Sequence, residues 1–333
     1  MDQGPPDALQ PLLQQLKEAC VLEHKYKPNL QLPTVSDGGS EVTVGIRDGS
    51  AHVLRCLKVW YDMPSEVLFV AINLMDRFLT KVKARPKHMA CLSVASFQLA
   101  AQFVCGVRTE GPPAPEPSDV ASISQCKCTM GDLARMQGII KKKLGTQFGL
   151  LPITAADFLR IFHALFLAVD EGQVYARCVN PNELWQRLEI VACDAACANF
   201  RASEIALVMI CTLMDTGVAH LQPAPPGHAV LSVVSFAGQL QQFCRIPESS
   251  FSACHQAVLA IIAQYNAQSQ LPHRQRLVWR LSQRTLRYLR PTDKLVKTLP
   301  TISEHGQPIP RSRSGSSSSE DSWESDDWVN GTV

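Results

Sequence analysis

Residues 67–102 read VLFVAINLMDRFLTKVKARPKHMACLSVASFQLAAQ, and this stretch contains the most informative pattern of the chain. Apolar residues fill most positions on both sides of Arg85-Pro86, where the proline favours a break between two helices. A helix that is apolar around most of its circumference is buried inside a domain. The stretch therefore predicts two core helices of an all-α domain.

Asp76 is the exception within this apolar pattern. A carboxylate on a core helix must reach water or pair with a cation, because an unpaired buried charge costs several kcal/mol (roughly). We therefore expect Asp76 to be either exposed or paired.

The composition limits the class of protein. The chain has 333 residues with a formal net charge of +2, enough for one large or two ordinary domains. So small a charge argues against nucleic-acid or membrane binding by the protein as a whole. The first ten residues lack the features of a signal peptide, and no apolar run reaches the roughly 18 residues that span a bilayer. We expect the protein in the cytoplasm and nucleus.

The chain carries 12 cysteines but no motif of a metal site or an enzyme. Cys126 and Cys128 form a CxC and Cys193 and Cys197 a CxxxC, and neither has the second pair that a structural zinc site needs. No GxSxG, HExxH or phosphate loop is found. We expect no catalytic residue, no metal and no cofactor, and therefore a protein that is not an enzyme.

Clusters of proline, glycine and serine divide the chain into helical segments without strand-type alternation. An N-terminal helix is expected within residues 7–25. Five helices follow in residues 42–150 and five more in 151–270, which predicts two tandem five-helix bundles. Residues 1–41 are then an N-terminal helix and loop, 271–298 a basic helical segment and 299–333 a tail.

Several helix starts are marked by capping residues. Thr129 with Asp132, and Thr154 with Asp157, have the spacing of a capping box. Asn180 before Pro181 is a cap followed by a first-turn proline. Ser65 is expected to cap the helix that carries Asp76.

Basic residues recur at steps of three or four beyond Leu271. This stripe has two interpretations, a solvated face or a dock for an acidic partner or an importin. The tail beyond residue 299 is rich in serine and acids and is expected to be disordered. Ser317 and Ser318 each have an acid three residues on and are candidate phosphosites. The basic stripe comprises Arg276, Arg280, Arg284, Arg287, Arg290, Lys294 and Lys297.

Four segments resemble the cyclin family, specifically its G-type members. They are AINLMDRFL (71–79), KARPKHMACLSVASFQLAA (83–101), SISQCKCTMGDLARM (122–136) and the end of the chain, LVWRLSQRTLRYL with LPTISE. The family has two cyclin boxes of five helices each, which agrees with the helix count above. The resemblance implies a binding module of the cell cycle.

The resemblance also assigns roles to individual residues. It implies an ion pair between Arg47, on the first helix of the box, and Asp76. Cyclins that activate kinases place a lysine and a glutamate where this chain has Gln102 and Gln137. Gly49 and Ser50 replace bulky apolar residues of a substrate-docking patch beside Arg47, so we expect no such groove.

LPTISE, residues 299–304, has the form LxxIxE. It resembles the motif by which proteins bind the B′ regulatory subunit of protein phosphatase 2A, with Leu299, Ile302 and Glu304 as the contact residues. Phosphate on Ser303 would add negative charge to this segment. The alternative is that these residues are a bare linker.

Three functions follow from these patterns. The first is a non-catalytic scaffold that recruits the phosphatase and, as the resemblance implies, restrains cell-cycle progression. The second is a regulatory subunit that activates a cyclin-dependent kinase. The third and weakest is nucleic-acid binding through the basic stripe.

Overall fold

The computed structural model describes residues 9–107, 113–124, 126–145, 151–170 and 173–266. All regular secondary structure within these ranges is helical, which confirms the predicted all-α fold. The basic segment after residue 270 and the tail lie outside the described residues. The α-helices are α1 (Leu9–Tyr26), α2 (Val44–Trp60), α3 (Ser65–Lys81), α4 (Met89–Val107), α5 (Pro117–Ile123), α6 (Met130–Leu144), α7 (Ala155–Val169), α8 (Val174–Cys178), α9 (Pro181–Ala192), α10 (Ala202–His220), α11 (Gly227–Phe243) and α12 (Glu248–Asn266).

Capping residues set the helix starts as the sequence predicts. The backbone N–H of Thr129 donates to Asp132 Oδ2 at 2.9 Å, and the N–H of Asp132 donates to Thr129 Oγ1 at 3.1 Å. Asn180 Oδ1 accepts from the N–H of Asn182 at 2.9 Å, so α9 begins at Pro181. These bonds satisfy N–H groups that a helix start leaves unpaired.

Ser65 departs from its predicted role. Pro64 is the residue before α3, and Ser65 is the first residue of the helix, with no side-chain cap bond at this terminus. Its hydroxyl instead donates to Glu189 Oε1 at 2.6 Å. The polar side chain therefore joins α3 to α9 rather than capping α3.

Helices α2–α6 form the first bundle, with α3 and α4 packed along each other at its centre. Residues such as Leu68, Met75, Leu92 and Phe97 are buried from solvent. The second bundle contains α7 and α9–α12, and α10 packs between α7 and α12. Two tandem five-helix bundles are therefore observed, as predicted.

Two helical segments are long and apolar enough to cross a membrane by length and composition, namely Pro86–Val107 and Ala202–His220. In the folded chain they are the central helices α4 and α10, with 67% and 56% of their most apolar windows buried. Their apolar character is explained by packing against neighbouring helices on several sides. The expectation that no run is long enough to span a bilayer was wrong on length.

Two features of the second bundle were not predicted. The short helix α8 carries Tyr175, which is buried and stacks on Phe166 of α7 with ring centroids 4.8 Å apart. Helix α1 does not stand apart, because Leu16 and Ala19 are buried in the same core as α7. Neither arrangement has a local sequence signal.

Gly217 lets α10 approach α8 closely. A Cβ atom on this residue would lie 2.6 Å from the carbonyl oxygen of Cys178 and 2.9 Å from its Cα atom. Because both atoms belong to backbone, no rotation of a side chain could relieve the contact. The absence of a side chain at position 217 is therefore required by the packing.

We predict that Gly217→Ala destabilises the protein by about 1–3 kcal/mol, the usual effect of overpacking a core. Gly138→Ala is the matched control, since a Cβ there meets nothing within 4 Å. That change in α6 should stabilise by about 0.5–1 kcal/mol, because glycine is a poor helix former. Urea denaturation of both variants measures the difference, and equal midpoints would contradict the close approach.

Candidate functional site

Arg47 and Asp76 join α2 to α3 through a buried, two-pronged ion pair. Arg47 Nε donates to Asp76 Oδ1 at 2.9 Å, and Nη2 donates to Oδ2 at 2.6 Å. Arg47 is fully buried and Asp76 is 2% exposed. The Asp76 carboxylate is thus paired with Arg47, the partner that the family resemblance implies.

Arg47 makes two further hydrogen bonds, one to its neighbour Asp48 and one that reaches the second bundle. Nη1 donates to Asp48 Oδ1 at 3.1 Å, and Nη2 also donates to the carbonyl oxygen of Ala192 at the end of α9 at 3.3 Å. Burial acts to lower the pKa of Arg47, but the charge and hydrogen bonds of Asp76 outweigh it and raise the pKa. The guanidinium therefore stays charged while it connects both bundles.

Asp48 sits at the same junction. Its Oδ1 accepts from the N–H of Ala195 at 2.9 Å. Burial, helped by the charge of Asp194, raises the pKa of Asp48 from 3.8 to about 6, against the opposing effect of Arg47. Because the folded-state pKa exceeds the unfolded one, ionised Asp48 weakens the fold above pH 6, and this penalty disappears as the pH falls towards 4.

A second ionic cluster joins the bundles around Glu189 of α9. This carboxylate is 4% exposed. It accepts from Lys58 Nζ at 2.6 Å and from the Ser65 hydroxyl at 2.6 Å, and Arg55 Nε lies 3.5 Å from its other oxygen. No local pattern predicts this cluster, because Glu189 lies more than a hundred residues from its partners.

Gln102 and Gln137 lie on helices that pack against each other, α4 and α6. Gln102 is exposed near the end of α4. Gln137 Nε2 donates to Gln98 Oε1 at 2.7 Å, and Gln98 Nε2 donates to the carbonyl oxygen of Pro117 at 3.1 Å. Two amides and a carbonyl thus form a directed chain from α6 through α4 to α5.

Gln98 is a site residue that sequence reasoning missed. It is 2% exposed and lies one turn before Gln102 on α4. A glutamate at position 137 would place a carboxylate against the Gln98 carbonyl oxygen, whereas the glutamine amide donates to it. The sequence signal for Gln98 was its polar side chain inside an otherwise apolar helix. A buried amide at such a position requires hydrogen-bond partners.

A recess lies on the face of α2 that carries Gly49 and Ser50, and the expectation that this chain has no substrate-docking groove stays a prediction. Helices α2 and α4 line this recess of about 650 Å³, together with Ile123, Ser124, Cys126 and Lys127. Gly49 and Ser50 line it, together with apolar side chains that include Val53 and Trp60. The small residues leave space where larger side chains would have filled it, so they deepen the concavity.

The cysteine pairs lie in different surroundings. Cys193 is buried, and its thiol contacts the carbonyl oxygen of Ala51 at 3.5 Å. Cys126 lines the recess. Within the described ranges, no group of three or more histidine, cysteine or acidic side chains is placed to hold a metal ion.

The residues of the LPTISE segment fall outside the described part of the chain. This applies to the contact residues Leu299, Ile302 and Glu304 and to the candidate phosphosites Ser303, Ser317 and Ser318. Their roles remain predictions from the sequence.

Comparison with known proteins places the chain beside one family. Residues 16–149 match the family described as cyclin, N-terminal domain. The chain is 44% identical over 330 residues to Cyclin G of Drosophila melanogaster, covering 95% of this chain and 56% of that relative. It therefore spans little more than half the length of the fly protein.

Two human relatives are less similar in sequence, but this chain covers a larger share of their length. Cyclin-G2 of Homo sapiens is 29% identical over 292 residues, with 85% of this chain and 78% of that relative covered. Cyclin-G1 of Homo sapiens is 27% identical over 311 residues, with 89% and 96% covered.

A viral cyclin from herpesvirus saimiri shares the fold, with a TM-score of 0.51 and 16% identity over 77% of this chain and 100% of that one.

We predict that Asp76→Ala destabilises the protein by about 3–5 kcal/mol, because Arg47 is then left as a buried charge without its main partner. Thermal and urea unfolding measure the loss. The double variant Arg47→Met/Asp76→Leu should lose less unfolding free energy than Asp76→Ala, since it removes both charges of the pair.

Arg187→Ala is the control for this experiment. It breaks the ion pair with Glu183 on the surface of α9, where Glu183 is 46% exposed. A pair of this kind contributes about 0.3–0.5 kcal/mol. If Asp76→Ala and Arg187→Ala lowered the free energy of unfolding equally, the result would contradict a structural role of the buried pair.

Proposed function

Because the chain belongs to the cyclin family, among its G-type members, we propose that it is a non-catalytic scaffold that recruits protein phosphatase 2A through the B′ regulatory subunit. In this proposal the helical boxes hold one partner and the LPTISE segment holds the phosphatase. The scaffold acts in the cytoplasm and nucleus and restrains cell-cycle progression.

The observation that carries the proposal is the neutral pair at positions 102 and 137. Charge-assisted hydrogen bonds contribute about 1.5–3 kcal/mol and neutral ones about 0.5–1.5. Replacing both charges by amides weakens a kinase interface by a few kcal/mol, roughly a hundredfold in affinity. Gln137 Nε2 is in addition bonded to Gln98 Oε1, so part of its hydrogen-bonding capacity is used within the fold.

The LPTISE segment supplies the phosphatase contact in this proposal. Two aliphatic side chains, Leu299 and Ile302, contribute roughly 1.5–3 kcal/mol each when buried in pockets. Glu304 adds about as much through a charged contact. Ordering a flexible peptide removes about 2–5 kcal/mol. The balance is a weak, reversible contact that phosphorylation of Ser303 can strengthen.

We predict that Leu299→Ala/Ile302→Ala weakens binding to the purified B′ subunit at least tenfold, because both apolar anchors are lost. Isothermal titration calorimetry with the full chain measures the dissociation constant. Pro300→Ala/Thr301→Ala is the matched control, since it changes the two positions that LxxIxE leaves variable. Equal affinity of the wild type and the anchor variant would disprove the motif.

Activation of a cyclin-dependent kinase is the second candidate. The recess between α2 and α4 favours it, because activating cyclins carry a substrate-docking patch on the corresponding first helix of the box. The two candidates differ in what the purified chain does with a kinase. The scaffold forms no stoichiometric kinase complex, whereas a kinase activator does and supports phosphorylation of histone.

We predict that Gln102→Lys alone tightens kinase binding about tenfold, since Gln102 is exposed and its replacement disturbs no described contact. Gln264→Lys, on the exposed face of α12, adds the same charge elsewhere and should change nothing. Surface plasmon resonance with a purified cyclin-dependent kinase compares them. A wild-type chain that binds and activates the kinase stoichiometrically would favour the second candidate over the scaffold.

A further inference from the structure

Two cysteines that are far apart in the sequence meet where α1 joins the second bundle. Cys20 is on α1, and Cys244 directly follows α11. Their sulfur atoms are hydrogen-bonded at 3.7 Å although 224 residues separate them. Cys244 is buried at 2% exposure, and Cys20 is partly exposed. Cys20 is therefore the residue of the pair that lies nearer to solvent.

Arg201 holds this contact together. Its Nε donates to Glu23 Oε1 on α1 at 2.8 Å, and its Nη2 donates to the carbonyl oxygen of Cys244 at 2.9 Å. Glu23 is itself 2% exposed and also accepts from the Ser203 hydroxyl at 3.1 Å. One guanidinium thus binds both segments that carry the thiols and fixes their separation.

The environment makes the two thiols unequal. The hydrogen bond with Cys244 lowers the pKa of Cys20, and the charge of Arg201 acts in the same direction, while burial and Glu23 oppose it. The same hydrogen bond, together with burial, raises the pKa of Cys244. Since the thiolate is the nucleophile, Cys20 is the attacking sulfur and Cys244 the resolving one.

We propose that Cys20 and Cys244 are a redox modification site, at which a hydroperoxide drives formation of a reversible disulfide that fastens α1 to the second bundle. This inference is independent of the phosphatase and kinase roles. The substrate is hydrogen peroxide or a small organic hydroperoxide.

The chemistry balances in two steps. The Cys20 thiolate attacks one peroxide oxygen, the O–O bond breaks, and hydroxide leaves, so that Cys20 becomes a sulfenic acid. The Cys244 sulfur then attacks the Cys20 sulfur, the S–O bond breaks, and the leaving hydroxide takes up the Cys244 proton as water. The two thiols lose two electrons in total, and the peroxide gains them.

The disulfide would change how α1 is held. In the reduced chain, non-covalent contacts hold α1 in place, namely its apolar face and the hydrogen bonds of Glu23. These contacts can break when the helix detaches. A covalent bond across 224 residues of sequence removes that freedom, because long loops gain most from a cross-link. Oxidation therefore converts a reversible contact into a fixed one.

The test exposes the reduced full-length chain to hydrogen peroxide, quenches it with iodoacetamide and maps the disulfides by peptide mass spectrometry. We expect one linked peptide pair that contains Cys20 and Cys244. The thermal midpoint should rise by about 5–10 °C, and dithiothreitol should restore the original value. A cross-link at other cysteines, or conversion of Cys20 to sulfinic acid without a cross-link, would overturn the proposal.

Cys20→Ser is the informative variant, because the residue is partly exposed and a serine is tolerated there more readily than at buried Cys244. Its thermal midpoint should not rise with peroxide. Cys126→Ser is the matched control, since it removes a partly exposed cysteine elsewhere and should keep the full rise. A rise that persists in Cys20→Ser, or that is lost in Cys126→Ser, would assign the effect to other groups.

Discussion

The buried guanidinium of Arg47 sets the geometry on which the rest of the molecule depends. It bonds at once to Asp76 of α3, to Asp48 beside it and to the carbonyl oxygen at the end of α9. A buried cation tolerates little displacement of its partners, because each lost bond leaves charge in a poorly solvated place. The spacing of α2 and α3 therefore depends on this side chain, which together with the Glu189 cluster also holds the second bundle against them.

Sequence reasoning succeeded where the cause is local. The start of α6 follows from Thr129 and Asp132, whose bonds span three residues. The pairing of Arg47 with Asp76 spans 29 residues, and the family resemblance was needed to identify it. The sites of Gln98, Glu189 and Cys244 depend on helices that meet only in the folded chain. The recess lined by Gly49 and Ser50 depends on the approach of α2 and α4, for which there is no local pattern.

Gln102 and Gln137, which the resemblance assigns to kinase contacts, differ in their surroundings. Gln137 is bonded to Gln98, which is bonded in turn to the start of α5. The fold thus uses this amide for its own cohesion, while Gln102 remains at the surface without a charge. These two neutral positions are the basis on which we propose a scaffold, with the phosphatase bound by the LPTISE segment, rather than a kinase activator.

The position of α1 has a consequence for biosynthesis. Glu23 finds Arg201 178 residues further along the chain, and the apolar face of α1 packs on a helix that begins at Ala155. At about 5–20 residues per second, the ribosome releases α1 roughly 10–35 s before that arginine is made. During this interval Leu16 and its neighbours stay in water. Helix α1 is thus made long before the residues that hold it in its native place.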